Sequence, residues 1–147
     1  MKPKNASKVF SKDRRITGEK QMNRSKEMAG LAVWALEDKK AADVKVLDIA
    51  EISTLADYFI IASGANRNQV QAMADNAEEI LGRAGYHARG VEGYRNGNWI
   101  LLDFGDIVIH IFDEENREFF SIDRLWRDGK EVDPHDLTDA AVAAAEE

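Results

Sequence analysis

The chain has 147 residues, is 44% hydrophobic and carries a formal net charge of −7. That length suits one domain with tails, and the apolar content is enough for a core that needs no covalent staple. Cysteine is absent, which excludes disulfides, thiolate metal sites and a Cys nucleophile and fits a reducing cytoplasm.

No apolar run approaches the roughly 20 residues that span a bilayer, and the N-terminus lacks the apolar stretch of a secretory leader, so a cytoplasmic protein is expected. The charge is unevenly spread. Residues 1–26 hold nine Lys/Arg against two Asp/Glu, a net of +7, whereas residues 27–147 hold 11 against 25, a net of −14. An acidic body is repelled by phosphate and suits a basic protein partner. The basic segment 1–24, poor in large apolar groups, reads as a disordered tail, either solvated without a role or in contact with nucleic acid.

In chain order, Ser25 is placed to cap a first helix ending near Lys40, with Met28, Leu31, Ala32, Ala35 and Leu36 on one stripe. Val44–Ala50 and Asp57–Ser63 read as strands, the second apolar enough to be central. A second helix is expected over Arg67–Ala84, with Asn66 as its cap, Gln69 completing a capping-box spacing, and Gly85 in the position that favours positive φ after a helix. Its apolar stripe is Val70, Met73, Ala74, Ala77, Ile80 and Leu81. Three strands follow, His87–Glu92, Trp99–Phe104 and Ile107–Phe112, the last two joined by a short turn at Gly105–Asp106. Residues 115–126 read as short helical or irregular. The acidic, Ala-rich segment 133–147 reads as a frayed tail. The order implies one domain over residues 25–132: an α/β (α+β) fold with a mixed five-stranded sheet and flanking helices.

Few residues here carry chemistry. Ser63-Gly64-Ala65-Asn66 joins a strand to a helix N-terminus and offers either a phosphate site or a plain capped turn. His87, His110 and His135 lack metal-ligand spacing. His110 interrupts an apolar strand, sharing a face with Val108 and Phe112; it reads as a satisfied sheet histidine rather than a catalytic base, and any active role would be at an interface. Asp103 and Asp106 bracket the hairpin turn; such a pair can bind a metal or do acid–base work, but without further carboxylates it reads as solvating the turn or anchoring a basic surface. Strand alternation puts Trp99, Leu101 and Asp103 on one face, and Trp99 either fills the core edge or stands exposed as an interface anchor. Glu114, Glu115 and Glu118 form an acidic cluster that reads as a solvated helix face.

A family resemblance rests on a long run of these residues. Asp57-Tyr58-Phe59-Ile60-Ile61-Ala62-Ser63-Gly64, Arg67, Gln69-Val70 and Ala74-Asp75 resemble the first half of the RsfS (Iojap-like) ribosome-silencing family. Glu92-Gly93, Gly97, the run Trp99 through Phe112, Arg117, Phe119-Phe120 and Leu125-Trp126 resemble its second half. The resemblance implies a sheet related to that of the nucleotidyltransferases. It also implies docking on the large ribosomal subunit through the basic ribosomal protein uL-fourteen, a block on small-subunit joining, translational repression under nutrient limitation, and a homodimer. No catalytic residue, cofactor or metal is expected. The partner-binding residues would be Trp99, Leu101, Asp103, Asp106 and His110, and the N-terminal tail would add a weak contact with ribosomal RNA. The alternative, a nucleotide-binding enzyme of the nucleotidyltransferase class, would use Ser63 with Asp103 and Asp106. The Asp-x-Asp/Glu pair that such enzymes place after their Gly-Ser turn is missing after Ser63-Gly64, since Asp75 falls in a helix.

Overall fold

The computed structural model describes residues 18–120 and 127–145, with side-chain surroundings described through Arg117 and, in the last helix, only as far as Asp139 and at Ala141. The readings made for residues 1–17, 121–126 and 146–147, and for the Glu118, Phe119 and Phe120 side chains, lie outside the described residues.

Helix α1 runs from Gly18 to Asp38, seven residues ahead of the expected cap. Ser25 is not a cap. It is fully buried inside the helix, and its hydroxyl donates to the Asp57 carboxylate. The extra turns consist mostly of good helix formers, Glu19, Lys20, Gln21, Met22 and Arg24, and tertiary contacts hold them. Arg24 donates to Asp106 at 3.1 Å and to Gln21 at 2.6 Å, and Gln21 in turn reaches Asp57. Capping chemistry at Ser25 lost to packing.

Strands β1 (Ala42–Asp48) and β2 (Tyr58–Gly64) are antiparallel, with a bulge between Ala42 and Lys45. Helix α2 (Arg67–Arg83) follows. Asn66 caps it by accepting from the Gln69 amide at 2.9 Å. At its far end Gly85 adopts φ +96°, the Gly85 amide donates to the Gly82 carbonyl, and the Tyr86 amide donates to the Leu81 carbonyl at 2.8 Å. These are the paired bonds of a Schellman C-terminus.

Strands β3 (Gly90–Glu92), β4 (Trp99–Asp103) and β5 (Ile107–Asp113) form an antiparallel meander. A short helix α3 (Glu114–Phe120) follows β5 directly. A sixth strand, β6 (Lys130–Val132), pairs with β1 and corrects the expected five-stranded sheet. Three residues are too few to show an alternation in sequence, which is why β6 was not legible. The segment expected to fray is helix α4 (Pro134–Ala145), with Leu137 and Ala141 buried on α1.

The sheet order is β3-β4-β5-β2-β1-β6. Only β2 and β5 run parallel, at its centre, and the other neighbours are antiparallel. Helices α1, α2 and α4 cover one face, over Val46, Ile60, Ile100, Leu102, Ile109 and Ile111. The opposite face carries a smaller cluster built on Leu47, Ile49, Phe59, Ile61 and Phe112. The fold class is therefore α+β with a mixed sheet, as expected. No helix among the described residues is long and apolar enough to cross a membrane.

Candidate functional site

The register defines rows of side chains across the sheet face opposite α1, α2 and α4. Trp99 lies opposite Phe112, Leu101 opposite His110, and Asp103 opposite Val108. Beyond them His110 neighbours Ile61, and Val108 neighbours Phe59. The centre of this face is closed over: Phe112 and Ile61 are fully buried and His110 is 3% exposed. Its β4 margin, carrying Trp99, Leu101 and Asp103, remains half-exposed.

Several contacts among the described residues hold Trp99 and the loop before it. Its indole Nε1–H donates to His110 Nδ1 at 3.1 Å. Its ring packs on Phe112 with centroids 5.2 Å apart. The loop before it is pinned to α2, because Gln71 donates to the carbonyls of Tyr94 and Arg95 and the Tyr94 hydroxyl donates to Asp75. Gly93 in this loop has φ +79°, and a β-carbon there would collide with the Trp99 carbonyl. Only glycine lets the chain turn so close behind the tryptophan.

His110 sits between Phe59, 4.7 Å away between centroids, and Phe112, stacked at 6.4 Å. Because Nδ1 accepts from Trp99, the ring proton belongs on Nε2. Among the described residues that buried Nε2–H has no hydrogen-bond partner. Burial pushes the imidazole pKa down to about 4, so the ring is neutral at physiological pH and its Nδ1 lone pair stays available to Trp99.

The two aspartates of the hairpin part company. Asp103 faces the half-exposed margin, accepts from the Gly105 amide at 2.8 Å and lies 3.4 Å from Arg89. Asp106 is 6% exposed and points under α1 to pair with Arg24. Trp99, Leu101, Asp103 and His110 are brought together, and Asp106 stands apart from them as the anchor of the first helix. Sequence alternation cannot see this, because Asp106 lies in the turn, where the period-2 rule stops.

Ser63 lies at the other end of the sheet. It pairs with Phe112, four positions along β5 from Val108, which faces Asp103. At ~3.3 Å per residue that is on the order of 13 Å. Its hydroxyl accepts from Arg117 at 2.7 Å. Ser63, Asp103 and Asp106, the set the enzymatic alternative needs, do not converge. The helix N-terminus beside Ser63 is already served: Gln69 accepts from the Ala65 amide and donates to the Lys39 and Lys40 carbonyls, tying the start of α2 to the end of α1. The capping-box spacing flagged Gln69, but its bridge to α1 had no signal in sequence. Among the described residues, no group of three or more His, Asp or Glu is placed to hold a metal ion.

The model of the family described as "Ribosomal silencing factor during starvation" matches residues 22–147. The chain belongs to the RsfS family. The ribosomal silencing factor RsfS of Halalkalibacterium halodurans is 37% identical over 109 residues, covering 74% of this chain and 93% of that protein. A crystal structure from Chromobacterium violaceum superposes with a TM-score of 0.67 at 37% identity, covering 68% of this chain and 83% of that one. A mouse protein named "Mitochondrial assembly of ribosomal large subunit protein 1" is 28% identical over 100 residues, and the match spans 43% of its length. The RsfS match takes in α4 and β6. It leaves residues 1–21, most of the basic segment, outside.

Proposed function

We propose that this chain is a regulator that binds the large ribosomal subunit through the basic ribosomal protein uL-fourteen. It thereby keeps the small subunit away and represses translation when nutrients are limiting. Its place of action is the cytoplasm, and the chain acts as a homodimer. The reading is supported by membership of a family described by ribosomal silencing, by the large-subunit wording in the mouse relative's name, and by an acidic body suited to a basic partner.

The observation that carries it is the half-exposed Trp99–Leu101–Asp103 margin. An aromatic anchor braced from behind, next to an aliphatic side chain and a carboxylate, has the composition of an interface core. The mechanism is exclusion: a surface already covered cannot receive a second particle. It requires no bond making and no cofactor.

The test is co-sedimentation with purified large subunits. Trp99→Ala should weaken binding about 30-fold or more, the equivalent of about 2 kcal/mol at a hot spot. Asp103→Lys should weaken it further by reversing the charge presented to a basic surface. A folded double variant that sediments with large subunits like the parent removes this margin as the docking site.

A further inference from the structure

Two Arg–Asp pairs flank the β4–β5 turn, and they differ in kind. Arg24 meets Asp106 at 3.1 Å, with the carboxylate side chain 8% exposed, so that pair belongs to the packing of α1. Arg89 meets Asp103 at 3.4 Å, with the two side chains 46% and 36% exposed. The second pair is longer and open to water, and such pairs are weakly held.

The backbone delivers Arg89 to this place. Its N–H donates to the Asp103 carbonyl at 2.6 Å, while the register partner of Asp103 is Gly90. Arg89 and Gly90 therefore both stand opposite Asp103, the arrangement of a bulge, which re-aims a side chain. The Arg89 side chain crosses the turn, where a β-carbon at Gly105 would lie 3.7 Å from its Nε and Cζ. Its Nη2 reaches Asp103 Oδ2, and the Gly105 amide donates to Oδ1 at 2.8 Å. Both carboxylate oxygens are thus engaged within the chain. Beside them Gly90 contributes no side chain, and a β-carbon there would meet no heavy atom within 4 Å among the described residues. Cross-strand partners share a face, so an open gap lies next to Asp103 on the same margin as Leu101 and Trp99.

We propose, on the reading that this margin docks on a basic partner, that Arg89 is an autoinhibitory placeholder. It occupies Asp103 in the free chain, and a Lys or Arg side chain of the partner enters at Gly90 and displaces it. The contact is then an exchange of one cation for another, and its strength is set by how loosely Arg89 is held.

The test is the dissociation constant for purified large subunits, measured by co-sedimentation. Arg89→Gln should bind roughly twofold to fivefold more tightly than the parent, the range of an exposed ion pair. Asp103→Asn keeps an acceptor for the Gly105 amide but lacks the charge, and in that background Arg89→Gln should recover at most a small part of the gain. Arg83→Gln is the control for charge alone. It removes one cation and frees one carboxylate, Glu79, on α2 at the other face of the sheet, and should bind like the parent. Gly90→Val fills the gap with a residue that suits a strand and meets no obstacle, so it should melt no lower than the parent and bind several-fold more weakly. No gain in Arg89→Gln, an equal gain in Arg83→Gln, or an equal gain in the Asp103→Asn background would each overturn the placeholder, and parent-like binding by Gly90→Val would overturn entry at the gap. Weaker binding by Trp99→Ala without a gain in Arg89→Gln would sink the placeholder alone and leave the docking margin standing. Parent-like binding by both variants would sink the docking reading and the placeholder with it.

Discussion

At the scale of single residues, His110 joins stability to the proposed docking margin through one ring. Its folded pKa, about 4, lies below the ordinary 6.5. Between those two values the unfolded chain binds a proton that the folded chain refuses, so stability falls as pH drops from about 6.5 towards 4, by at most about 3 kcal/mol. His110→Phe removes the titration and also removes the orphan Nε2–H, which costs about 1–3 kcal/mol to bury. The variant should match the parent in stability at pH 7 to within about 1 kcal/mol and exceed it near pH 4.5, as read by denaturant unfolding at the two pH values. It should nevertheless bind large subunits more weakly, because the Trp99 indole loses the acceptor that orients it. A variant with the parent's acid sensitivity would show that another group titrates. Asp106→Asn tests the opposite assignment. It should lower stability by about 1–3 kcal/mol, since it breaks a charge-assisted bond to the partly solvated Arg24. It should leave docking at Trp99 untouched, which subunit binding below the melting range would reveal.

At the scale of elements, α4 depends on one missing side chain. A β-carbon at Gly30 would lie 2.7 Å from the Ala141 β-carbon and collide with the Leu137 carbonyl. Glycine in mid-helix costs about 1 kcal/mol against alanine, so Gly30→Ala would stabilise an isolated α1. Here the obstruction is backbone, which cannot rotate away, and the variant should destabilise by about 1–3 kcal/mol of overpacking. Amide hydrogen exchange should speed up across Pro134–Ala145 while the sheet core stays protected. Unchanged exchange in that helix would show that the two helices part without cost.

The elements also show what could be read in the sequence. Strong patterns gave the right elements: the α2 stripe with Asn66 and Gly85 at its ends, the continuous apolar β2, and the β4–β5 hairpin. Local signals failed where a distant partner decided the outcome. Ser25 looks like a cap until Asp57, 32 residues away, claims its hydroxyl. The Ala-rich end looks like a tail until Gly30 gives it a seat. Of the site, alternation alone put Trp99, Leu101 and Asp103 on one face. The Trp99–His110 bond and the departure of Asp106 to α1 depend on cross-strand register and turn geometry, which no local pattern encodes.

At the scale of the whole molecule, charge is segregated: a cationic beginning and an anionic remainder meet along α1. Docking through the acidic side should be sensitive to ionic strength chiefly in its association rate, because exposed charges separated by more than ~10 Å are screened at about 0.1 M salt. Stopped-flow association with large subunits should slow as salt rises, with dissociation of the Trp99 anchor nearly constant. A salt effect confined to dissociation would argue against steering by the acidic body.

The parallel pairing of β2 with β5 has a consequence for how the chain reaches this shape. The two strands are separated in sequence by α2, β3 and β4, so their pairing must close a large loop before any ladder bond rewards it. The β4–β5 hairpin needs only its short turn and can form in about 1–10 μs. The meander is then the natural nucleus, formed at the transition state, and β2 zips onto a preformed β5 after it. Kinetic φ-values should be high at Leu102 and Ile109 and low at Ile60, so that truncation at Ile60 accelerates unfolding and leaves the folding rate nearly alone.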